Sequence, residues 1–254
     1  MEKITIAKSA SDFDQTAAWY IIGQICGKPD SVIGLSTGRT TGNMHRLVVS
    51  RYRRHPFNVS RVTFFGIDEV MNVPREYAGA CYTMLKTEII DGLGIDDRHF
   101  LMLPSMSENW ERDCRLFRQE LQRRGGIDLL ILGLGENGHL GFNQPGTPFE
   151  REAWTSKMSP ALEQRIRHET QKSDEAPLGG VTLGIKDIMH ARKIVVVAKG
   201  GNKAEIVRQM LLGPITPDVP ASVLQLHPNC EFLLDADAAS LITMHNVQCS
   251  IHNE

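Results

Sequence analysis

Short apolar runs recur along the chain and alternate with longer segments of helical periodicity. Glycine or polar residues bound the runs, as is typical of buried strands in a parallel sheet. We predict strands at Ser31–Leu35, Val62–Ile67, Phe100–Leu103, Ile127–Leu134, Lys193–Lys199 and Glu231–Leu234. We predict helices at Ala10–Cys26 (N-cap Ser11), Thr41–Tyr52, Gly79–Leu93, Glu108–Gln122, Lys203–Leu212 and Ala221–Leu226.

This alternation predicts an α/β fold. We expect three layers, a mostly parallel twisted sheet with helices on both faces, in a modified Rossmann-like arrangement. Right-handed crossovers then place the strand-to-helix loops at one edge of the sheet. The 254 residues suffice for one large domain or two small ones, and we predict a single domain over residues 1–254.

The stretch Arg151–Leu178 is polar and only weakly periodic. A mobile lid or a peripheral loop-helix segment at residues 150–180 fits this composition, and a disordered linker is the alternative. Regular structure is expected to return at Val181–Ala191, with a short helix that begins at Thr182 or Gly184.

Composition excludes several classes of protein. A hydrophobic content of 41% and a charged content of 23% are ordinary for a soluble globular protein. The net charge of −2 provides no electrostatic surface for nucleic acid or an anionic membrane. No apolar run approaches the ~20 residues that cross a bilayer. Five cysteines without close spacing favour reduced thiols and a cytoplasmic location.

Chemistry-bearing residues follow three of the predicted strands. They are the glycine loop Ser36–Gly42, the carboxylate pair Asp68-Glu69, and the segment Gly135–His139. In open α/β sheets, ligands bind outside the carboxyl ends of the strands. We therefore expect an anion site, a carboxylate and a histidine around one crevice, which favours a small-molecule enzyme over a scaffold.

Two glycine loops are candidates for an anion site. In Ser36–Gly42, backbone N–H groups just before a helix favour a phosphate, and Thr37 and Thr40 add hydroxyl donors. An ordinary tight turn is the alternative. A second loop, Gly200–Asn202, leads into Lys203. A lysine at a helix start is unfavourable for the helix dipole, so a bound anion would remove that cost.

Asp68 and His139 are candidates for proton transfer. A carboxylate at a strand edge becomes more basic when it is partly desolvated. The alternatives for Asp68 are a solvated turn or a helix cap. A histidine directly after two glycines and two polar residues suits a proton shuttle, with a hydrogen-bonded structural histidine as the alternative.

Three runs resemble the glucosamine-6-phosphate deaminase family, and within it the galactosamine-6-phosphate deaminase/isomerase branch. The resemblance is carried by Gly34–Gly38, Phe65–Glu69 and Gly133–Gly146, of which Asn-Gly-His-Leu-Gly-Phe-Asn is the most specific part. Further matches occur at Val181–Ile185, Gly200–Lys203 and Pro220–His227.

The resemblance implies an enzyme that converts an amino-sugar 6-phosphate into fructose or tagatose 6-phosphate and ammonia. It assigns Asp68 as the base that moves a proton between C2 and C1, and His139 as the ring-opening residue, assisted by Asn137 and Gln144. No metal or organic cofactor is implied. The expected partner is a small sugar phosphate, not nucleic acid or a membrane, and a homo-oligomer is compatible with the family.

The resemblance also assigns a substrate-binding set, in which one arginine of the segment 151–178 joins the phosphate; Arg167 is the first choice and Arg165 the second. The set is Ser36, Thr37, Gly38, Arg39, Thr40, Glu69, Gly135, Arg167 and Lys203.

The chain departs from the family pattern at two important positions. Gln144 stands where a glutamate usually assists ring opening, and Arg39 stands where a small residue is common in the phosphate loop. Three functions follow: a deaminase/isomerase with altered substrate preference, a 6-phosphogluconolactonase-like hydrolase that uses His139 without Asp68, or a sugar-phosphate sensor without catalysis.

Overall fold

The computed structural model describes residues 3–171 and 177–242, and this part contains ten strands. They are β1 Lys3–Ala7, β2 Val32–Leu35, β3 Thr63–Gly66, β4 Asp68–Met71, β5 Phe100–Leu101, β6 Leu129–Gly133, β7 Trp154–Ser156, β8 Gly179–Thr182, β9 Ile194–Ala198 and β10 Cys230–Asp235.

The α-helices are α1 Ala10–Gly27, α2 Gly42–Arg54, α3 Cys81–Leu85, α4 Asp91–Leu93, α5 Trp110–Arg123, α6 Pro160–Thr170, α7 Ile185–Met189 and α8 Ala204–Leu212. A π-helical turn, Lys86–Ile90, joins α3 to α4. Short 3-10 helices lie at Asp97–His99, Gly201–Lys203 and Pro220–Leu226.

Seven strands form one sheet in the order β1-β10-β9-β6-β2-β3-β5, and every neighbouring pair is parallel. On one side of β2, the chain adds β3 and then β5. It then returns to the other side of β2, where β6, β9 and β10 follow in order. The order therefore reverses between β2 and β6, which is where open α/β sheets hold their ligands.

Successive residues of the main sheet pack into two separate cores. Phe64 and Ile131 belong to one apolar cluster, whereas their neighbours Phe65 and Leu130 belong to the other. This follows from the two-residue period of a strand, which points consecutive side chains to opposite faces. Both faces of the sheet are thus buried, as the near-continuous apolar runs predicted.

Helices supply the outer layers. On one face, α1 and α2 bury Phe13 and Val48. On the other face, α5 and α8 bury Phe117 and Val207. The three-layer, mostly parallel α/β fold expected from the sequence is confirmed.

A second, three-stranded antiparallel sheet in the order β4-β8-β7 was not predicted. It takes β7 from the stretch Arg151–Leu178, which also contains α6. Residues 172–176 of the predicted lid segment lie outside the described residues. The described part of that segment contains β7, which pairs with β8, and α6, which places Ile166 in a small core together with Met158.

Some local predictions were wrong. The N-cap of α1 is Ser9, whose hydroxyl accepts from the Asp12 N–H at 3.1 Å, and not Ser11. The strand Lys3–Ala7 was missed, and it pairs with β10 at the edge of the main sheet. The segment that begins at Val181 first completes β8, and the expected helix then starts with Gly184 as its N-cap.

Within the described residues, the helices are too short or too polar to traverse a lipid bilayer. Four described cysteines, Cys26, Cys81, Cys114 and Cys230, are free thiols.

Candidate active site

Three loops and one carboxylate that the sequence analysis identified follow four adjacent strands. The strands β9, β6, β2 and β3 are consecutive neighbours in the main sheet and run in the same direction. Their carboxyl ends therefore meet at one edge, which brings together the second glycine loop, the His139 segment, the first glycine loop and Asp68.

The first glycine loop turns sharply at Gly38, whose φ is +133°. Its carbonyl accepts from the N–H groups of Thr41 and Gly42, both at 3.2 Å, and this turn begins α2. Thr37 and Thr40 are half-buried and Arg39 is exposed. The loop thus presents two hydroxyls and a guanidinium near a helix N-terminus, a suitable arrangement for an anion.

Ser36 has a different environment from the rest of that loop. It is buried, its hydroxyl donates to the Ile131 carbonyl at 3.1 Å, and it accepts from the Gly133 N–H at 2.9 Å. These bonds join the ends of β2 and β6. Ser36 therefore positions this edge of the sheet, and the direct substrate contact that the resemblance implies stays a prediction.

The second glycine loop brings Lys203 toward the first. The N–H of Gly200, at a φ of +93°, donates to the Asp235 carboxylate at 3.0 Å. Burial is the main cause that lowers the pKa of Lys203; the charge of Arg39 also lowers it, and Glu136 acts in the opposite direction. Two cations from two loops thus repel each other, and an anion bound beside them would relieve that repulsion.

His139 is held by the amide of Asn137. The ring Nδ1 lies 2.7 Å from the Asn137 Oδ1, and the same oxygen accepts from the His139 N–H at 3.3 Å. An oxygen acceptor at Nδ1 assigns the ring proton to Nδ1 and leaves Nε2 as the acceptor. The Asn137 amide in turn donates to the Gln144 Oε1 at 3.1 Å. The three predicted ring-opening residues therefore form one chain of hydrogen bonds.

Burial, followed by the charge of Lys203, lowers the pKa of His139, and Glu136 partly opposes this. The imidazole is accordingly neutral at neutral pH and can accept a proton at Nε2. Gly135 makes this position available, because a Cβ on it would lie 2.2 Å from the His139 Nδ1. The glycine is required for the ring to occupy its place.

Asn143 anchors the segment that carries His139. Its amide nitrogen donates to the carbonyls of Leu140 and Leu183, both at 2.8 Å, and its oxygen accepts from the Trp154 indole at 2.9 Å. Asn143 is fully buried and all its bonds are within the protein. It ties the His139 segment to the end of β8 and to β7.

Asp68 is the first residue of β4 and lies where the chain leaves the main sheet. Only 9% of its surface is exposed, and burial raises the pKa of its carboxyl to about 7, with a smaller contribution from the charge of Glu69. The Oδ1 accepts from the Cys81 thiol at 3.5 Å. A Cβ built on Gly141 would lie 3.3 Å from the Oδ2, so the turn that carries His139 borders this carboxylate.

Glu69 points to the backbone. Only 1% of its surface is exposed; its Oε1 accepts from the N–H groups of Val70 and Cys81, and its Oε2 accepts from that of Tyr82, at 2.7–2.8 Å. A carboxylate at a helix N-terminus stabilises the helix. Glu69 therefore positions the start of α3, and the substrate contact that the resemblance implies stays a prediction.

Both candidate arginines lie on α6. Arg167 bonds to Glu163 at 2.5 Å and its side chain is 15% exposed, whereas Arg165 is 61% exposed and lies 3.8 Å from Glu169. The place of either arginine in a phosphate site stays a prediction.

Two contributors were missed by the sequence analysis. Cys81 touches both Asp68 and Thr37, although it lies 13 and 44 residues away from them. Glu136 accepts from the Asn202 amide at 2.7 Å and so links the two segments that carry His139 and Lys203. Neither contact follows from a spacing, since each depends on how separate loops meet.

Among the described residues, no group of three or more histidine, cysteine, aspartate or glutamate side chains is placed to hold a metal ion.

Comparisons with known proteins identify the family of this chain. Residues 24–232 match the family described as glucosamine-6-phosphate isomerases/6-phosphogluconolactonase. A glucosamine-6-phosphate deaminase of Clostridium botulinum (strain Langeland) is 33% identical over 243 residues, 95% of this chain and 99% of the relative. One from Thermoanaerobacter pseudethanolicus is 32% identical over 240 residues, 94% of this chain and 95% of the relative.

Solved structures share the fold. A monomeric glucosamine-6-phosphate deaminase superposes with a TM-score of 0.88 at 28% identity, and the match covers 94% of this chain and 100% of that one. The 6-phosphogluconolactonase of Trypanosoma brucei has a TM-score of 0.74 at 19% identity over 96% and 99% of the two chains, which indicates a common fold.

Proposed function

We propose, because the chain belongs to the family of glucosamine-6-phosphate isomerases and 6-phosphogluconolactonases, that it is an amino-sugar-6-phosphate deaminase/isomerase. Its substrate is glucosamine or galactosamine 6-phosphate, and its products are the 6-phosphate of the corresponding ketose and ammonia. The relatives at about one-third identity are glucosamine-6-phosphate deaminases. The galacto sugar is added because the sequence runs resemble that branch.

The state of Asp68 is the observation that carries this proposal. Isomerisation needs a group that takes the proton from C2 of the open-chain sugar and returns it to C1. A carboxyl whose pKa is about 7 is well matched to both steps, because it accepts and releases a proton near neutral pH at similar cost. When the C1 carbonyl oxygen also gains a proton and the amine nitrogen loses one, this transfer leaves an alcohol at C1 and an imine at C2. Water then adds to C2, and ammonia leaves.

His139 opens the sugar ring. Its neutral Nε2 takes the proton of the anomeric hydroxyl and returns it to the ring oxygen. Asn137 holds the ring at Nδ1, and Gln144 supports Asn137. With two neutral amides in this chain, the imidazolium formed during transfer has no anion as its hydrogen-bonded partner. We therefore expect ring opening to limit turnover of cyclic substrates.

The two glycine loops bind the phosphate. Arg39 and Lys203 supply charge, Thr37 and Thr40 supply hydroxyls, and the backbone around Gly38 supplies N–H groups. The electrostatic influence of Arg39 on Lys203 supports their convergence on one anion. An arginine in this loop adds a bidentate donor, which we expect to strengthen phosphate binding.

Product analysis tests the proposal. Purified protein is incubated with each amino-sugar 6-phosphate, and both ammonia and ketose phosphate are measured. Asp68→Asn should abolish both products and retain phosphate-dependent binding. The matched control is Asp96→Asn, which removes an exposed carboxylate that pairs with Arg98 and should leave turnover unchanged.

Two other outcomes would contradict the proposal. Acid release from a 6-phospholactone, without ammonia from either amino sugar, would identify a lactonase-type hydrolase. Binding of the sugar phosphates without any product would identify a sensor. Normal turnover by Asp68→Asn would refute the assignment of the base.

A further inference from the structure

We propose that the thiol of Cys81 is a positioning group that connects the phosphate loop to the proton-transfer carboxylate, through hydrogen bonds from Thr37 to Cys81 and from Cys81 to Asp68. The inference rests on the proposed function, which assigns Thr37 to phosphate binding and Asp68 to proton transfer. The hydrogen-bonded path itself is a property of the structure and is testable without substrate.

Geometry defines the path. The Thr37 hydroxyl donates to the Cys81 Sγ at 3.3 Å, and the Sγ donates to the Asp68 Oδ1 at 3.5 Å. Sulfur is larger than oxygen, and these distances are within the range of its hydrogen bonds. The residue Cys81 is 6% exposed, and its N–H donates to Glu69 at 2.8 Å. The sulfur is therefore held between the two oxygens.

The direction of the two bonds follows from the charge state. Burial, together with the charges of Asp68 and Glu69, raises the pKa of the Cys81 thiol well above its usual value. The group is a protonated S–H and not a reactive thiolate. When Asp68 is ionised its carboxylate can only accept, so the thiol proton points to Asp68, and the sulfur accepts the Thr37 proton.

The thiol fixes which carboxylate oxygen is available. With Oδ1 held by Cys81, Oδ2 is the oxygen that borders Gly141 and the His139 turn. The bond from Cys81 also lowers the pKa of Asp68 and so offsets part of the effect of burial. The titratable groups that act on Asp68 are Cys81 on α3 and the adjacent Glu69 on β4, and its cross-strand partner on β8 is the neutral Thr182.

Phosphate binding would change this path. The Thr37 hydroxyl has one proton, so a hydroxyl that donates to phosphate no longer donates to the Cys81 sulfur. The thiol then becomes a weaker donor to Asp68, or it turns to the free lone pair of the Thr37 oxygen. Both changes weaken the hydrogen bond that stabilises the ionised carboxylate. Phosphate binding should therefore raise the pKa of Asp68 and make it a stronger base.

A titration of the substrate-free protein tests the path. The Asp68 carboxyl is followed by carbon-13 NMR in the wild type and in Cys81→Ser, Cys81→Ala and Cys81→Val. The serine variant keeps a donor and should titrate close to the wild type. The alanine and valine variants remove it, and the Asp68 pKa should rise by about half a unit or more. Valine also fills the volume, which separates loss of the donor from loss of packing.

A double-mutant cycle tests the connection to Thr37. Thr37→Val should raise the Asp68 pKa in the wild-type background and have no effect when Cys81 is alanine or valine, because the path is already broken. An Asp68 titration that is unchanged without the thiol would overturn the proposal. So would a Thr37→Val shift of equal size in both backgrounds.

Kinetics of the same variants separate this inference from the proposed function. Cys81→Ala should shift the acidic limb of the kcat pH profile to higher pH by the same half unit or more. This lowers kcat about threefold on that limb, because a smaller fraction of Asp68 is ionised. KM should change less than twofold, and Cys81→Ser should restore the wild-type profile. If the titrations behave as expected and no protein in the series releases ammonia, the path stands and the proposed function is wrong. If ammonia is released but the Asp68 pKa is the same in the wild type and in the Cys81 variants, the path is wrong and the function stands.

Discussion

Replacing Asp68 by asparagine should stabilise the protein in a pH-dependent way. Asp68 is almost fully buried at the start of β4, and this burial raises the pKa of its carboxyl from 3.8 to about 7. Folding therefore opposes its ionisation. The asparagine amide of the variant has similar shape and no charge to bury, so the penalty of the ionised carboxylate disappears.

The sign and size follow from linkage. The folded-state pKa is raised, so ionisation of Asp68 costs stability: the penalty is absent below pH 3.8, grows up to pH 7, and is constant above it. The two pKa values give a penalty of about 1.7 kcal/mol at pH 5 and about 4 kcal/mol at pH 8. Asp68→Asn should thus gain about 2.5 kcal/mol relative to the wild type between these pH values.

Urea unfolding at pH 5, 6.5 and 8 measures this difference. The change with pH is the informative quantity, because any effect of the amide on packing is the same at each pH and cancels. Glu120→Gln is the matched control. The bonds from Arg123 and Arg124 lower the pKa of Glu120 to about 2, so its contribution is nearly constant between pH 5 and 8. The difference in unfolding free energy between Glu120→Gln and the wild type should be the same at all three pH values.

Equal stability differences at pH 5 and pH 8 would refute the reasoning. They would mean that Asp68 ionises as readily in the folded protein as in the unfolded chain. A gain that appears below pH 5 and vanishes above it would reverse the sign and point to a cation near the carboxylate. If the more stable variant also loses isomerase activity, then the stability penalty of the ionised carboxylate lies at a residue that the activity requires.

Three further predictions concern the remaining site. Gln144→Glu adds a carboxylate two hydrogen bonds from His139, through Asn137, and should raise the pKa of the imidazole and speed turnover of cyclic substrate; a slower enzyme in steady-state assays would show that the amide is required. Lys203→Gln removes one of two cations at the anion site and should raise KM for the sugar phosphate at least tenfold, with a smaller effect on kcat; an equal loss in kcat would contradict this. Asn143→Ala leaves buried partners without bonds and should lower the free energy of unfolding by about 2–4 kcal/mol in urea titrations; an unchanged midpoint would contradict its anchoring role.

The main sheet and its ligand edge could be predicted from the sequence. The strands β2, β6 and β9 are short apolar runs, and each is followed by a glycine-containing loop of distinctive composition. Because parallel strands share one edge, the meeting of these loops follows from topology alone. No side-chain contact was needed to bring Lys203, His139 and Thr37 to the same end of the sheet.

The second sheet could not be predicted in the same way. β4, Asp68–Met71, contains two carboxylates and is only four residues long, so it has no apolar period. Its partner β8, Gly179–Thr182, is more than 100 residues away and consists of two glycines, a valine and a threonine. Short polar strands of this kind are defined by their pairing and carry little local signal.

The seam between the two sheets explains why the pKa of Asp68 is raised. The N–H of Ile67 still donates to Leu35 of the main sheet, at 3.2 Å, while its carbonyl accepts from Leu183, next to β8, at 2.8 Å. Asp68 therefore starts the second sheet with backbone packed on both sides of it. A carboxylate that simply followed β3 into an open crevice would remain solvated and keep an ordinary pKa. The antiparallel sheet removes that solvent and leaves a thiol, a weak donor, at Oδ1. A strong donor or a cation there would instead hold the pKa of Asp68 near or below its ordinary value.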